Sequence, residues 1–185
     1  MKKLDQFIYT YQNQIFKLFE IDNLQLTKIR KSLNLIKQIK KNKKKIIIVG
    51  NGGSAAIASH FSVDMTKNGS VRCVNFNESD LITCFGNDYG YENWVKESIK
   101  FYADPGDLII LISSSGKSKN MINAAKFAKK RKNKIITYTG FSGKNNLKKY
   151  GNINFIVNSN NYNHIENTHQ YLLLILVDIF RVFKY

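Results

Sequence analysis

The sequence predicts an α/β protein: a three-layer α/β/α sandwich around a central parallel sheet of about five strands, preceded by an N-terminal helical pair. Three observations predict it. Short apolar, largely β-branched runs recur at 45–49, 71–75, 107–112, 134–138 and 153–157, and their lack of polar alternation is what strands covered on both faces require. Segments with helical spacing separate them at 54–67, 92–102, 118–131 and 164–183, the alternation of βαβ units. The chain also has a single proline, Pro105, and only 11 glycines, too few turn formers for a many-stranded sandwich.

The elements follow in order. Residues 4–19 and 24–40 place apolar side chains three and four apart (Leu4, Phe7, Ile8, Tyr11, Ile15, Leu18; then Leu26, Ile29, Leu33, Ile36, Ile39), which predicts two amphipathic helices. With the sandwich over 45–185 they make one domain of 185 residues, and residues 1–42 read as part of it or as a dimerisation appendage. The first strand ends at Gly50, and a helix opens directly behind it. The most apolar run, 171–183, is too short for a membrane span and contains Asp178 and Arg181, so it reads as a buried helix.

Composition narrows the function classes. Apolar residues make up 43% and charged residues 23% of the chain, a globular balance that excludes a disordered or collagenous protein. Twenty-nine Lys and Arg against 13 Asp and Glu leave a net charge of +16, which raises nucleic acid as a partner. The lysines, however, are spread along the chain, with runs at 37–45, 129–134 and 144–149 where helices end. Solvated faces are therefore expected, with neither a nucleic-acid nor a membrane partner. Cys73 and Cys84 lack any metal or redox spacing and read as buried free thiols. The lysines after Met1 are followed by no apolar stretch, so a cytoplasmic location is expected.

In an open parallel sheet, ligands bind beyond the carboxyl ends of the strands. Two loops there have chemistry. Gly50-Asn51-Gly52-Gly53-Ser54 follows the first strand; glycines let backbone N–H groups approach an anion, and a helix N-terminus adds partial positive charge. Gly50-x-Gly52-x-x-Ala55 also satisfies a loose dinucleotide fingerprint, but no ribose-binding acid ends the second strand, where Asn75-Phe76-Asn77 stands. Ser113-Ser114-Ser115-Gly116-Lys117-Ser118 follows the third strand. Hydroxyls and amides at two neighbouring strand ends suit a phosphate monoester, and recognition without arginines suits a sugar phosphate.

Gly50 to Ala56, His60-Phe61, Gly86-Asn87-Asp88-Tyr89-Gly90 and the Ser113 to Ser118 loop before Asn120 resemble the SIS (sugar isomerase) domain of bacterial phosphoheptose isomerases. The likeness runs from about Lys45 to the C-terminus, and the helical pair matches the family's layout. It implies a homotetramer or dimer with shared sites, and isomerisation of sedoheptulose 7-phosphate to a heptose 7-phosphate for surface polysaccharide. It maps phosphate binding onto Ser54, Ser113, Ser115 and Ser118, with Ser114, Gly52 and Gly53 beside them, and sugar contacts onto Asn51 and Asp88.

The chain departs from the family at the catalytic positions. The family's His-Phe-x-x-Glu is here His60 and Asp64, and the Gln and later His of the last helix are Glu166 and Leu174. Aldose–ketose isomerisation needs a base for a carbon-bound proton and an acid or metal for the enediolate. Asp64 or Glu166 would supply the base, and His60 or His169 the acid. No cofactor is required by the sequence, yet zinc suits the donor types of His60, Asp64 and Glu166, with His169 as a fourth. The departures leave open a second reading, a non-catalytic SIS module binding a phosphosugar or a protein partner, as replication-initiator-binding relatives do.

Overall fold

A computed structural model describes residues 1–141 and 145–185; Lys144, the start of one lysine run, lies outside them. Five strands, β1 (Ile46–Val49), β2 (Cys73–Val74), β3 (Leu108–Ser113), β4 (Lys134–Thr139) and β5 (Ile153–Ile156), form one sheet in the order β2-β1-β3-β4-β5 with every pairing parallel. Side chains alternate between its faces as a pleat demands. Ile46 and Ile48 of β1 and Leu108, Ile110 and Ile112 of β3 enter one core, while Ile47, Val49, Ile109 and Leu111 enter the other. The uninterrupted apolar runs thus feed two cores at once.

Helices α2 (Asn23–Lys41), α3 (Gly53–Lys67) and α7 (Tyr162–Phe183) cover the first face; α4 (Ser79–Tyr89), α5 (Trp94–Tyr102) and α6 (Lys119–Lys130) cover the second. Asp22 caps α2 by accepting from the Gln25 N–H. The two N-terminal helices differ in kind. α2 buries Ile29, Ile36 and Ile39 against the sheet and belongs to the core, whereas α1 (Lys2–Phe19) buries no residue fully and rests on α7 through stacked Phe19 and Tyr171.

The amino ends of β1 and β3, opposite the carboxyl ends, are pinned electrostatically. Asp107, almost wholly buried, accepts from the Lys45 backbone N–H at 3.0 Å and stands 2.7 Å from the Lys45 ammonium, which also reaches Asp104. Burial works against the charge on Lys45, but the two carboxylates outweigh it and hold its pKa above the ordinary value.

Three expectations need correction. Residues 79–89, read only as a motif-bearing segment, form α4, whose Leu81, Ile82 and Phe85 are half-buried. The second strand is two residues long instead of five. Cys84 is exposed on α4; only Cys73 is buried, and burial pushes its thiol far up in pKa. No helix among the described residues is long and apolar enough to cross a membrane.

Candidate active site

β1 and β3 are neighbours in register, with Val49 opposite Leu111, so the loops that follow them emerge side by side. The first turns sharply at Gly52, whose φ of +54° only glycine adopts without strain, and α3 begins at once. The second is folded on itself: the Gly116 N–H donates to the Ser113 carbonyl at 2.9 Å, and the Lys117 N–H to Ser115 Oγ at 3.2 Å. The Gly140 N–H, donating to the Ser114 carbonyl at 2.8 Å, ties this loop to the end of β4. Asn51 and Asn120 exchange amide hydrogen bonds of 3.1 and 2.8 Å, which fasten the first loop to the start of α6, the helix that the second loop leads into.

A cavity of about 130 Å³ lies between them. Asn51, Ser54, Ser113, Ser114, Ser115 and Ser118 line it, together with Tyr162 and Glu166 from the start of α7. Ser113 and Ser118 hydroxyls lie 3.1 Å apart. Ser114 Oγ is buried with no hydrogen-bond partner among the described residues. An orphaned buried hydroxyl is costly unless a ligand oxygen satisfies it, and the N-termini of α3 and α6 favour an anionic one. The space suits one phosphoryl group.

A second cavity, of about 410 Å³, adjoins it between α3 and α7. Gly53, Ala56, Ile57 and His60 face Asn163, Glu166, Asn167 and Gln170, two stripes at i, i+3, i+4 and i+7. Glu166 lines both cavities. A Cβ on Gly53 would overlap the Glu166 carboxylate, so this glycine makes the room in which the carboxylate sits. Burial raises the Glu166 pKa. His60 is held at both ring nitrogens: Nε2 lies 3.2 Å from Asp64 Oδ2 and Nδ1 3.3 Å from Gln170 Nε2. Sequence reading missed Asn163, Asn167 and Gln170; their common stripe, opposite the apolar face of the same helix, was the available signal.

Other candidates lie elsewhere. His169 is no acid of this site: it is fully buried between α7 and the sheet, with Nε2 on the Thr139 carbonyl at 3.1 Å and its ring edge-on to Tyr138. Burial pushes its pKa down to about 4 against that hydrogen bond, so the imidazole is neutral at pH 7. Leu174 packs beside the same core. Asp88 is exposed near the end of α4, bonded to the Asn87 amide at 2.9 Å, and lines neither cavity. Trp94 is a core residue, whereas Tyr91 reaches Asn51 Oδ1 at 3.4 Å.

The residues present do not fit a metal ion. No three His, Cys, Asp or Glu side chains among the described residues gather closely enough to hold one. His60 and Asp64 are turned to each other, and Glu166 stands over Gly53.

Known proteins share this architecture. The SIS domain family model matches residues 10–140. The phosphoheptose isomerase of Buchnera aphidicola subsp. Acyrthosiphon pisum is 38% identical over 149 residues, covering 78% of this chain and 75% of that one. That of Aliarcobacter butzleri is 35% identical over 165 residues, covering 86% and 85%. The solved phosphoheptose isomerase of Neisseria gonorrhoeae superposes with a TM-score of 0.87 at 27% identity, over 96% of this chain and 99% of the other. With five parallel strands in common and the serine-lined cavity at their carboxyl ends, the chain belongs to the SIS-domain family, among the phosphoheptose isomerases.

Proposed function

We propose that this protein is a sugar-phosphate isomerase that interconverts sedoheptulose 7-phosphate and a heptose 7-phosphate for surface polysaccharide synthesis. One observation carries the reading: the two hydroxyl-and-amide loops share a single cavity sized for a phosphoryl group, and Glu166 belongs both to its lining and to that of a second cavity, which His60 also lines. A phosphate gripped by Ser54, Ser113, Ser114, Ser115 and Ser118 would direct the sugar past Glu166 toward His60. The anchored phosphate then holds the sugar so that its reacting carbons lie beside Glu166.

We place the protein in the cytoplasm as a homo-oligomer. Supporting the oligomer, α1 is strongly amphipathic but leaves Leu4, Phe7, Ile8 and Phe16 exposed in the single chain, an apolar face of the kind that partners cover. Light scattering on the purified chain reads the subunit number, and a monomer at micromolar concentration would remove this part of the reading.

The test of function is incubation of the purified protein with sedoheptulose 7-phosphate, followed by NMR. Accumulation of an aldoheptose phosphate is expected. Tight binding without turnover would instead favour the non-catalytic module, the reading that Leu174 and the buried His169 support.

A further inference from the structure

Resting on the isomerase reading, we infer that Glu166 is the catalytic residue that moves the carbon-bound proton, and that Asp64 is a positioning residue acting through His60. Of the three carboxylates that the sequence nominates near the site, Glu166 alone lines the cavities. Asp88 is exposed on α4, and Asp64 turns its Oδ2 to His60 Nε2. A carboxylate committed to an imidazole orients that ring; it does not reach a substrate carbon in the cavity. Glu166 accepts no hydrogen bond and forms no ion pair among the described residues, and it stands where the phosphate cavity meets the sugar cavity. A ketose phosphate anchored by the serines must run past it.

The chemistry balances with this one carboxylate. Glu166 takes a proton from C1; the C1–H electron pair becomes the C1=C2 bond, and the carbonyl pair moves onto O2. The proton on O1 is lost as O2 gains one, and Glu166 returns its own proton to C2 while C1=O forms. C1 is oxidised by as much as C2 is reduced, so no outside electron acceptor enters. Partial burial favours a base of this kind, because it holds the Glu166 pKa above the usual glutamate range and so nearer neutrality. The other titratable groups lining the two cavities are His60 on α3 and Tyr162 on α7. A bound phosphate dianion adds negative charge beside the carboxylate and raises its proton affinity further.

The experiment follows deuterium entry from D2O into sedoheptulose 7-phosphate by NMR, alongside calorimetric titration with inorganic phosphate. Glu166→Gln should lower wash-in and turnover about a thousand-fold while binding phosphate as tightly as the parent or more so. Glu166→Asp, which keeps a shorter carboxylate, should retain measurable exchange with the acid limb of kcat/KM displaced. Asp64→Asn should cost about ten-fold in turnover, within the range of a lost orienting contact, and leave wash-in readily detectable. Exchange by Glu166→Gln within ten-fold of the parent overturns the assignment, as does its loss together with an equal loss of phosphate binding, which would make Glu166 a structural brace. If the parent itself neither exchanges nor turns over, the isomerase reading falls and takes this one with it; parental turnover with an active Glu166→Gln sinks the assignment alone.

Discussion

The two adjoining cavities are built by different means. The serine cavity is made by consecutive residues: a strand ends, the backbone turns, a helix begins, and hydroxyls and amides are delivered as a set by one loop and again by its neighbour. The cavity beside it has no consecutive residues in its chemistry. His60, Glu166 and Gln170 meet only because α3 and α7 lie against each other on one face of the sheet. An anion cradle can therefore outlast many surface changes, whereas the carboxylate and imidazole depend on how two helices sit. On this view the first cavity governs affinity and the second governs rate, and a substitution should disturb one kinetic constant far more than the other.

The largest effect should come from the cradle. Replacing Ser54 and Ser113 together by alanine removes two hydroxyls from the cavity, and hydrogen bonds to a charged group contribute about 1.5–3 kcal/mol each. KM for a sugar phosphate should rise about a thousand-fold, with kcat reduced much less. A matching fall in kcat at unchanged KM, measured by initial rates, would erase the division between the cavities.

Gly53 sits at their junction and sharpens the division. Alanine there places a methyl group against the Glu166 carboxylate, which must swing aside because the opposing atoms on α3 are helix backbone. Displacement of a reacting group by about 1 Å costs roughly a hundred-fold in rate. Gly53→Ala should therefore lower kcat by about that factor, with inorganic phosphate binding nearly intact by calorimetry. A loss confined to phosphate affinity would mean that Gly53 serves the cradle by its backbone and not the carboxylate by its emptiness.

The same contrast explains what could be read from the sequence. Loops that immediately follow apolar strands declare their position by themselves, so Gly50 to Ser54 and Ser113 to Ser118 were legible as neighbours once a parallel sheet was inferred. The alternating cores were legible too, since β1 is apolar throughout and β3 is apolar from Leu108 to Ile112. α4 was not, because its Leu81, Ile82 and Phe85 are only half-buried and none of its side chains enters the core fully. β2 was read from the 71–75 run, but its length was not: only Cys73 and Val74 pair with β1, a limit set by tertiary pairing. Gln170 and Glu166 face the cavity, and the apolar face of α7 sets its roll, but nothing in their spacing says that α3 is the helix they meet. His169, three residues after Glu166 and displaced by about 60° around the helix, falls on the other side of that roll and enters the core.

His169 thus supplies the last prediction, a property of the core and not of either cavity. Its folded pKa of about 4 lies below the ordinary 6.5 because burial disfavours the charged ring. As pH falls through 6.5 the unfolded chain takes up a proton that the folded chain refuses, so stability is full above that value. It is lost progressively until the folded pKa is reached. Between pH 6.5 and 5 this amounts to about 2 kcal/mol, readable as a falling urea midpoint at fixed protein concentration. His169→Leu removes the titration along with the bond to the Thr139 carbonyl, so it should start about 1 kcal/mol less stable at neutral pH and follow a flatter course below it. If parent and variant lose stability in parallel from pH 6.5 to 5, the imidazole enters its proton equilibrium equally in both states, and His169 does not occupy the dry position between α7 and β4.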